Sequence, residues 1–485
     1  METSGPGTEA STGNPLEPTV YRVQHTLASR FIFLNICVAI VLSALAFGTV
    51  HAWALIVFCV GALASVVLWV IDAWSLGKLR ISRNPLQIPL IGMLALGFIQ
   101  LLPLRDTAAT EALTVPASRA LSFDPYSTRM VLAQVTTLLI YFAATLVFTD
   151  SPHRLRLLVR TIIIFGFFLA IFGLTQSFVS PTRVYWVREL TQSTAFGPFI
   201  NRHHFAGYME LTLGLPLGLL FAGSLEKEKR FIYLFAALLM GVALIMTNSR
   251  GGIISLVAEV LFLMALTMFR KRKRGEAQNK TQRIRSAALR SALALALIVG
   301  LFAGVVLLGG ESVLSRFVGT VNSDDPTTGR AHFWSVTTDI IKAHPFVGTG
   351  LGAFAVVYTR YDSRNGLYRL EQAHNDYLQV LSDGGIVGAA LGLFFIVMLF
   401  RMGFARRESR DEYRSGVAIG ALAGCFAVLV HSFFDFTLHT TSNALLFLVL
   451  AALATMNGRV EQPNVTSRRR RRSRPTSAEP IMIKP

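Results

Sequence analysis

Apolar runs close to twenty residues long recur from Phe31 to Met456, separated by short polar segments that carry most of the charge. A bilayer interior has no water to satisfy a loose backbone, so each run reads as a membrane-spanning helix. Twelve are expected, near 31–48, 52–72, 86–102, 130–149, 160–179, 204–223, 231–247, 250–269, 291–309, 384–400, 415–434 and 441–456. The fold class is therefore all-α: a polytopic membrane protein of about 12 transmembrane helices with one long polar segment, 310–383, between spans nine and ten. That segment is too long to be a plain connector. Within it, Trp334, Ile340, Ile341 and Phe346 predict short amphipathic helices at the interface, and Pro345, Gly348, Gly350 and Gly352 break them. No internal repeat is visible.

Composition agrees with this pattern and narrows it. Of 485 residues 52% are hydrophobic and 15% charged, against about 25% charged in a soluble protein, which excludes an ordinary soluble enzyme. The net charge of +18 would signal nucleic acid only if the positive residues formed one face. They lie instead between the apolar runs and in the tail, so they report topology and anionic lipid headgroups, with no nucleic-acid partner. With the N-terminus inside, 33 of the 46 Lys and Arg fall in inner segments, counting Arg160 at the head of span five, anchored by Arg270 to Arg274, Arg401 to Arg414 and Arg468 to Arg472. The first thirty residues lack a basic region before a cleavable site, so Phe31 to Gly48 reads as a retained anchor. Cys37, Cys59 and Cys425 all sit in apolar runs, where packing is their expected role.

The outer segments hold the candidate chemistry. His374, in Glu371-Gln-Ala-His-Asn375-Asp376, is accessible from the outer face, and an imidazole titrates near neutral pH, as a general base should. Either Glu371 or Asp376 could be the acid that fixes its tautomer; the plainer alternative is a surface histidine satisfied by water. Arg202, Arg250 and Arg330 sit at the outer side, where positive residues are disfavoured. Guanidinium forks at headgroup level suit a pyrophosphate, or else snorkel to lipid phosphate. Gly251 and Gly252 follow Arg250 and open a helix whose amides could add to an anion site. Gly348-Thr-Gly350-Leu-Gly352 lacks the strand and lysine of a nucleotide loop and reads as a turn. His431, Asp435 and His439, spaced by four, could share a helical face and hold a metal, but a helix break is expected near 436–440, which favours a hydrogen-bonded helix end. Asp324 and Asp325 are adjacent and form no DxD pair. Glu210 and Glu259 fall inside spans, where ionisable groups face a cavity or a partner; Glu210 is the better candidate for the site's inner wall.

With these residues laid out, the chain resembles the bacterial O-antigen ligase and O-antigen polymerase superfamily of membrane glycosyltransferases. His374-Asn375, nine residues, then Gly385-x-x-Gly388 is similar to that family's signature. Arg330 with Trp334, His344-Pro345 and Gly348-x-Gly350 resembles the segment upstream of it. Ser249-Arg250-Gly251-Gly252 and Asn201-Arg202-His203-His204-Phe205-Ala206-Gly207 resemble earlier elements. The likeness runs from about span six to span eleven.

The resemblance implies an inverting, metal-independent transferase of the GT-C type, with no cofactor, in polysaccharide or lipopolysaccharide biosynthesis at the bacterial inner membrane. The donor would be a polyprenyl-pyrophosphate-linked glycan and the acceptor a glycan or lipid A-core hydroxyl. His374 would be the catalytic base, and Arg250, Arg330 and Arg202 would bind pyrophosphate. Asn375, Glu371, Asp376, Trp334 and Glu210 would support them. The expected organisation is a disordered cytoplasmic tail (1–30), spans one to nine (31–309), a periplasmic catalytic segment (310–383), spans ten to twelve (384–456) and a basic cytoplasmic tail (457–485). A flippase or transporter that uses Glu210, Glu259 and the outer arginines as a path is the alternative from another class.

Overall fold

The computed structural model describes residues 25–105, 118–190, 195–268, 329–364, 370–456 and 460, with helical residues 288, 292, 295–301, 303 and 307. The expected basic anchor at 270–274, Asp324, Asp325 and nearly all of both tails lie outside the described residues. In chain order the helices are α1 (Leu27–Leu45), α2 (Ala52–Leu76), α3 (Gln87–Gln100), α4 (Pro125–Phe148), α5 (Pro152–Val179), α6 (Arg202–Phe221), α7 (Lys227–Met246) and α8 (Arg250–Met268). Then come α9 (Arg330–Ala343), α10 (Phe354–Tyr361), α11 (Asp376–Arg406), α12 (Glu412–His431) and α13 (Thr441–Thr455). A two-residue ribbon, β1 (Arg183–Val184) against β2 (Arg188–Glu189), is the exception to an all-helical chain among the described residues.

Eight described helices are long and apolar enough to cross a membrane: α1, α2, α4, α5, α7, α8, α11 and α12. Of the other four runs expected to span, α3 and α13 are apolar helices of 14 and 15 residues, and the run at 291–309 is described only in part, as helix at 292, 295–301, 303 and 307. The fourth, α6, is the central helix. Every residue from His204 to Phe221 is buried, and its Gly214 and Gly218 meet Gly420 of α12 almost backbone to backbone. Small residues allow that approach where lipid supplies no hydrophobic drive. At the periphery, by contrast, α2 leaves Ile56, Leu63 and Val70 about 60% exposed (62%, 63% and 60%). An apolar face of this size is stable where its solvent is lipid.

Helix ends gather at two poles. At one, Arg80 bridges Asp72 at 2.8 Å and Asp150 at 3.0 Å, Asn84 donates to Thr455 Oγ1 and Ser224 to the Glu412 carbonyl. At the other, Gln100 donates to the Val347 carbonyl, the Phe123 amide to the Thr349 carbonyl and Thr441 to the Thr49 carbonyl. The second pole carries α9 and α10, the amphipathic helices expected in the long segment. They share a small core of their own, with Val336, Ile340, Phe354 and Val357 buried. As expected, α9 stops just before His344-Pro345, and α10 begins just after Gly352.

Span ten begins earlier than hydropathy predicts. The helix starts at Asp376 rather than 384, because Asn375 caps it by accepting from the Tyr377 and Leu378 amides. The expected boundary survives as a break inside it: Gly385 has φ 59° and ψ −159°, a conformation that is essentially glycine-only. The interrupted ladder is repaired from outside, since the Ile386 amide donates to the Pro345 carbonyl at 2.8 Å and the Val387 amide to that of Phe346 at 3.3 Å. Gly385 thus fastens the 345–348 turn to the span that carries His374 at its head.

Candidate active site

His374 precedes the cap residue of α11 and has φ 52°, the left-handed region that a non-glycine residue seldom adopts. Neighbours hold it there. Trp334 Nε1 donates to the Ala373 carbonyl at 3.1 Å, and the Ala373 amide donates to Gln379 Oε1 at 2.7 Å. The imidazole stacks on Phe333, ring centres 6.1 Å apart, and meets the edge of Phe436 at 4.9 Å. Asn375 both caps α11 and donates from Nδ2 to the Phe433 carbonyl, so it ties His374 to the turn after α12.

The acid beside His374 is neither Glu371 nor Asp376. Asp435, in the turn between α12 and α13, places Oδ1 at 3.2 Å from His374 Nδ1. Its Oδ2 accepts from Arg330 Nη2 at 3.0 Å, and Oδ1 also accepts from the Phe436 amide at 2.9 Å. Asp376 turns away: it accepts from Ser432 Oγ at 2.7 Å and pairs with His439 Nδ1 at 2.6 Å. It locks the α11 cap to the same turn and does not touch the imidazole. A carboxylate only accepts, so His374 Nδ1 carries the proton and Nε2 is the basic nitrogen. The side chain of His374 keeps 26% exposure while Asp435 has 1%, so the imidazole is open on one side over a buried partner.

Burial alone would raise the Asp435 carboxyl, but the hydrogen bond from His374 and the charges of His203, His374 and Arg330 hold it well below the usual carboxylate range. A depressed acid contributes stability that is complete above its unfolded value, about 3.9, and is lost as pH falls through the folded value. The difference in melting temperature between wild type and Asp435→Asn should therefore hold steady from pH 6 to about 4.5 and close only in stronger acid, measured by thermal unfolding across pH.

The three arginines each stand at the start of a helix: Arg330 begins α9, Arg202 begins α6 and Arg250 begins α8. Arg330, at the start of α9, is ion-paired with Asp435, which leaves the rest of its fork for an anion. Arg202 and Arg250 adjoin His203 and Ser249, whose side chains face each other at 2.8 Å. The two glycines after Arg250 serve packing more than anion binding. A Cβ on Gly251 would lie 2.6 Å from the His431 ring, and the Gly252 amide is already taken by Ser249 Oγ at 3.2 Å.

His431, Asp435 and His439 do not share a face. The helix ends at His431, and the three engage Glu210, Arg330 with His374, and Asp376, respectively. The expected hydrogen-bonded helix end is what the structure shows there.

Residues 235–393 match the family described as O-Antigen ligase. This chain carries an O-antigen ligase domain. No curated protein matches the chain. The ligase domain runs from α7 into α11 and so contains Arg250, Arg330, Trp334, His374, Gly385 and Gly388, while Arg202, Glu210, His431 and Asp435 lie outside it. The match supports the O-antigen ligase and polymerase superfamily, and with the apolar helices a multi-pass membrane enzyme that transfers glycosyl groups between a lipid-linked glycan and an acceptor. Asp435 escaped sequence reasoning because it stands 61 residues from His374, beyond two whole spans. The available signal was an aspartate in the short outer loop between spans eleven and twelve, next to the site by topology.

Trp334 gives a direct test of how His374 is held. Trp334→Phe keeps an aromatic side chain, gives up part of the indole's volume, and removes the N–H whose bond to the Ala373 carbonyl is worth about 1 kcal/mol. The rate of glycan transfer should fall on the order of tenfold as the base loses its alignment, with little change in melting temperature.

Proposed function

We propose that the protein transfers a glycan from a polyprenyl-pyrophosphate donor to an acceptor hydroxyl, as a polysaccharide ligase or polymerase, with inversion at the anomeric carbon and without a metal. The observation that carries this reading is the single buried carboxylate shared by His374 and Arg330. It orients a base and a cation towards one locality.

In this reading the acceptor hydroxyl gives its proton to His374 Nε2 as its oxygen bonds to the anomeric carbon. The bond from that carbon to the pyrophosphate oxygen breaks on the opposite face, which inverts the centre. Asp435 stabilises the imidazolium as it forms. Arg330, Arg250 and Arg202 neutralise charge gathering on the polyprenyl pyrophosphate, the task a metal performs in many soluble transferases. Trp334 and Asn375 position the base, Glu371 lines the approach to it, and Asp376 and Glu210 support the site from behind. The protein would sit in the bacterial inner membrane with both termini cytoplasmic. The 310–383 segment would lie in the periplasm and the donor's tail among the spans and membrane lipids.

The test is transfer in detergent from a purified lipid-linked oligosaccharide, with glycan and lipid A-core acceptors supplied separately. Wild type should release polyprenyl pyrophosphate with or without a chelator, and His374→Ala should not. Unchanged donor with wild-type protein would favour a transporter, and loss of activity on chelation would reject the metal-free mechanism.

A further inference from the structure

Behind Asp435 a file of side chains runs from the site into the core of the helix bundle. Glu210 Oε1 lies 2.8 Å from His431 Nδ1, and both side chains are fully buried. His431 Nε2 is 3.3 Å from Ser249 Oγ, which is 2.8 Å from His203 Nδ1, and that nitrogen is 3.7 Å from Asp435 Oδ2. Three elements supply it: α6 gives Glu210 and His203, α12 gives His431, and Ser249 precedes α8.

The hydroxyl in the middle constrains the whole file. A serine Oγ has one proton to donate and two lone pairs to accept with. The Gly252 amide takes one lone pair. Ser249 must then donate to one histidine and accept from the other, so the file has two polarities. In the first, His431 is the cation beside Glu210; its Nε2–H donates to Ser249, which donates to an unprotonated His203 Nδ1. In the second, the His431 Nε2 proton has moved to Ser249 and the Ser249 proton to His203 Nδ1. No proton enters or leaves, yet one positive charge has passed from His431 to His203, next to Asp435.

We propose that Glu210, His431, Ser249 and His203 form a charge relay that positions the Asp435–His374 pair electrostatically, drawing positive charge away from Asp435 as His374 accepts the acceptor's proton. The relay rests on the transferase reading above. Without it, a cationic His203 and a cationic His374 would share one carboxylate with Arg330. With it, the charge retreats to Glu210, and Asp435 is left to stabilise the imidazolium. The other titratable groups facing the file are Glu259 on α8, His204 and Arg202 on α6, Arg330 on α9, and His374 and Asp376 at the head of α11. Glu259 lies near Glu210, and both its carboxyl oxygens are buried with no hydrogen-bond partner among the described residues. Among the described residues it is the one further carboxylic acid at the inner end, where Cys425 of α12 also faces it.

The experiment is a rate–pH profile of the full chain, for wild type, Glu210→Gln and Ser249→Ala. Glu210→Gln keeps the shape and removes the anion that holds charge on His431. Ser249→Ala removes only the hydroxyl between the two rings, so a proton on His203 has no path inward. In either variant charge stays beside Asp435. The acid limb should move to lower pH by about half to one unit, with a plateau about tenfold lower, and Glu210→Asp should restore the limb. A structural role alone would scale the profile without moving it, and superimposable profiles after scaling overturn the relay. Nitrogen-15 shifts of the His203 ring give a second readout that needs no turnover: they should differ between wild type and Glu210→Gln, and identical shifts overturn the relay as well. An active wild type, an inactive His374→Ala and unmoved limbs reject the relay and leave the transferase reading standing. A wild type without transfer rejects both.

Discussion

Replacing Asp435 by Asn is expected to lower the rate of glycan transfer by about three to four orders of magnitude, the largest effect of any single isosteric change in this protein. The reason lies in hydrogen-bond polarity. Asp435 accepts from His374 Nδ1, from the Phe436 amide and from Arg330. An asparagine of the same shape has one accepting oxygen and one donating nitrogen. Either it offers N–H to the imidazole, which moves the imidazole proton to Nε2 and abolishes the base, or it offers N–H to Arg330 and leaves a guanidinium without its counterion. The measurement is single-turnover transfer with the donor saturating, so that the loss appears in the chemical step. A loss below tenfold would mean that Asp435 does not set the tautomer.

The second large effect is on the fold of the site. Gly385→Ala adds a Cβ that would stand 2.3 Å from the Phe346 carbonyl oxygen, at a φ of 59° that a side chain resists. The backbone strain costs about 1–3 kcal/mol, and the clash must be relieved by moving the 345–348 turn off the span. Because Val347 in that turn accepts from Gln100, and Thr349 and Gly350 just after it donate to the Ser382 and Asp383 carbonyls, the segment should loosen as a unit. Hydrogen exchange should rise across residues 345–352 and 374–386, with transfer activity lost. The second glycine of the signature predicts a contrast. A Cβ on Gly388 would meet its neighbours no closer than 3.5 Å, so Gly388→Ala should leave exchange near wild type.

These two residues show where the sequence was legible and where it was not. The spacing from His374-Asn375 to Gly385 was visible as a motif, and its physical content is now plain: the cap at Asn375 and the break at Gly385 bound a short helix that holds the base against the turn. Hydropathy could not find that helix. Asp376, Gln379, Ser382 and Asp383 make it polar, so the apolar run begins only at the break. The partner of His374 was hidden for a different reason. Sequence proximity favoured Glu371 and Asp376, but α11 carries Asp376 round to His439 and Ser432, and tertiary packing of α12 against α6 brings Asp435 in. Glu210 is buried within α6, and its partner His431 lies 221 residues away, so no local pattern links them. The arginines were recognisable as exceptions to the charge rule, while the pairing of Arg330 with Asp435 required the fold.

A structure of the protein with an uncleavable polyprenyl-diphosphate glycan tests the central claim most directly. The account predicts diphosphate oxygens within hydrogen-bond distance of Arg330 and of Arg250 or Arg202, with the anomeric carbon on the side of His374 Nε2. Diphosphate held at the opposite pole, near Arg80, or turned away from His374, would contradict it.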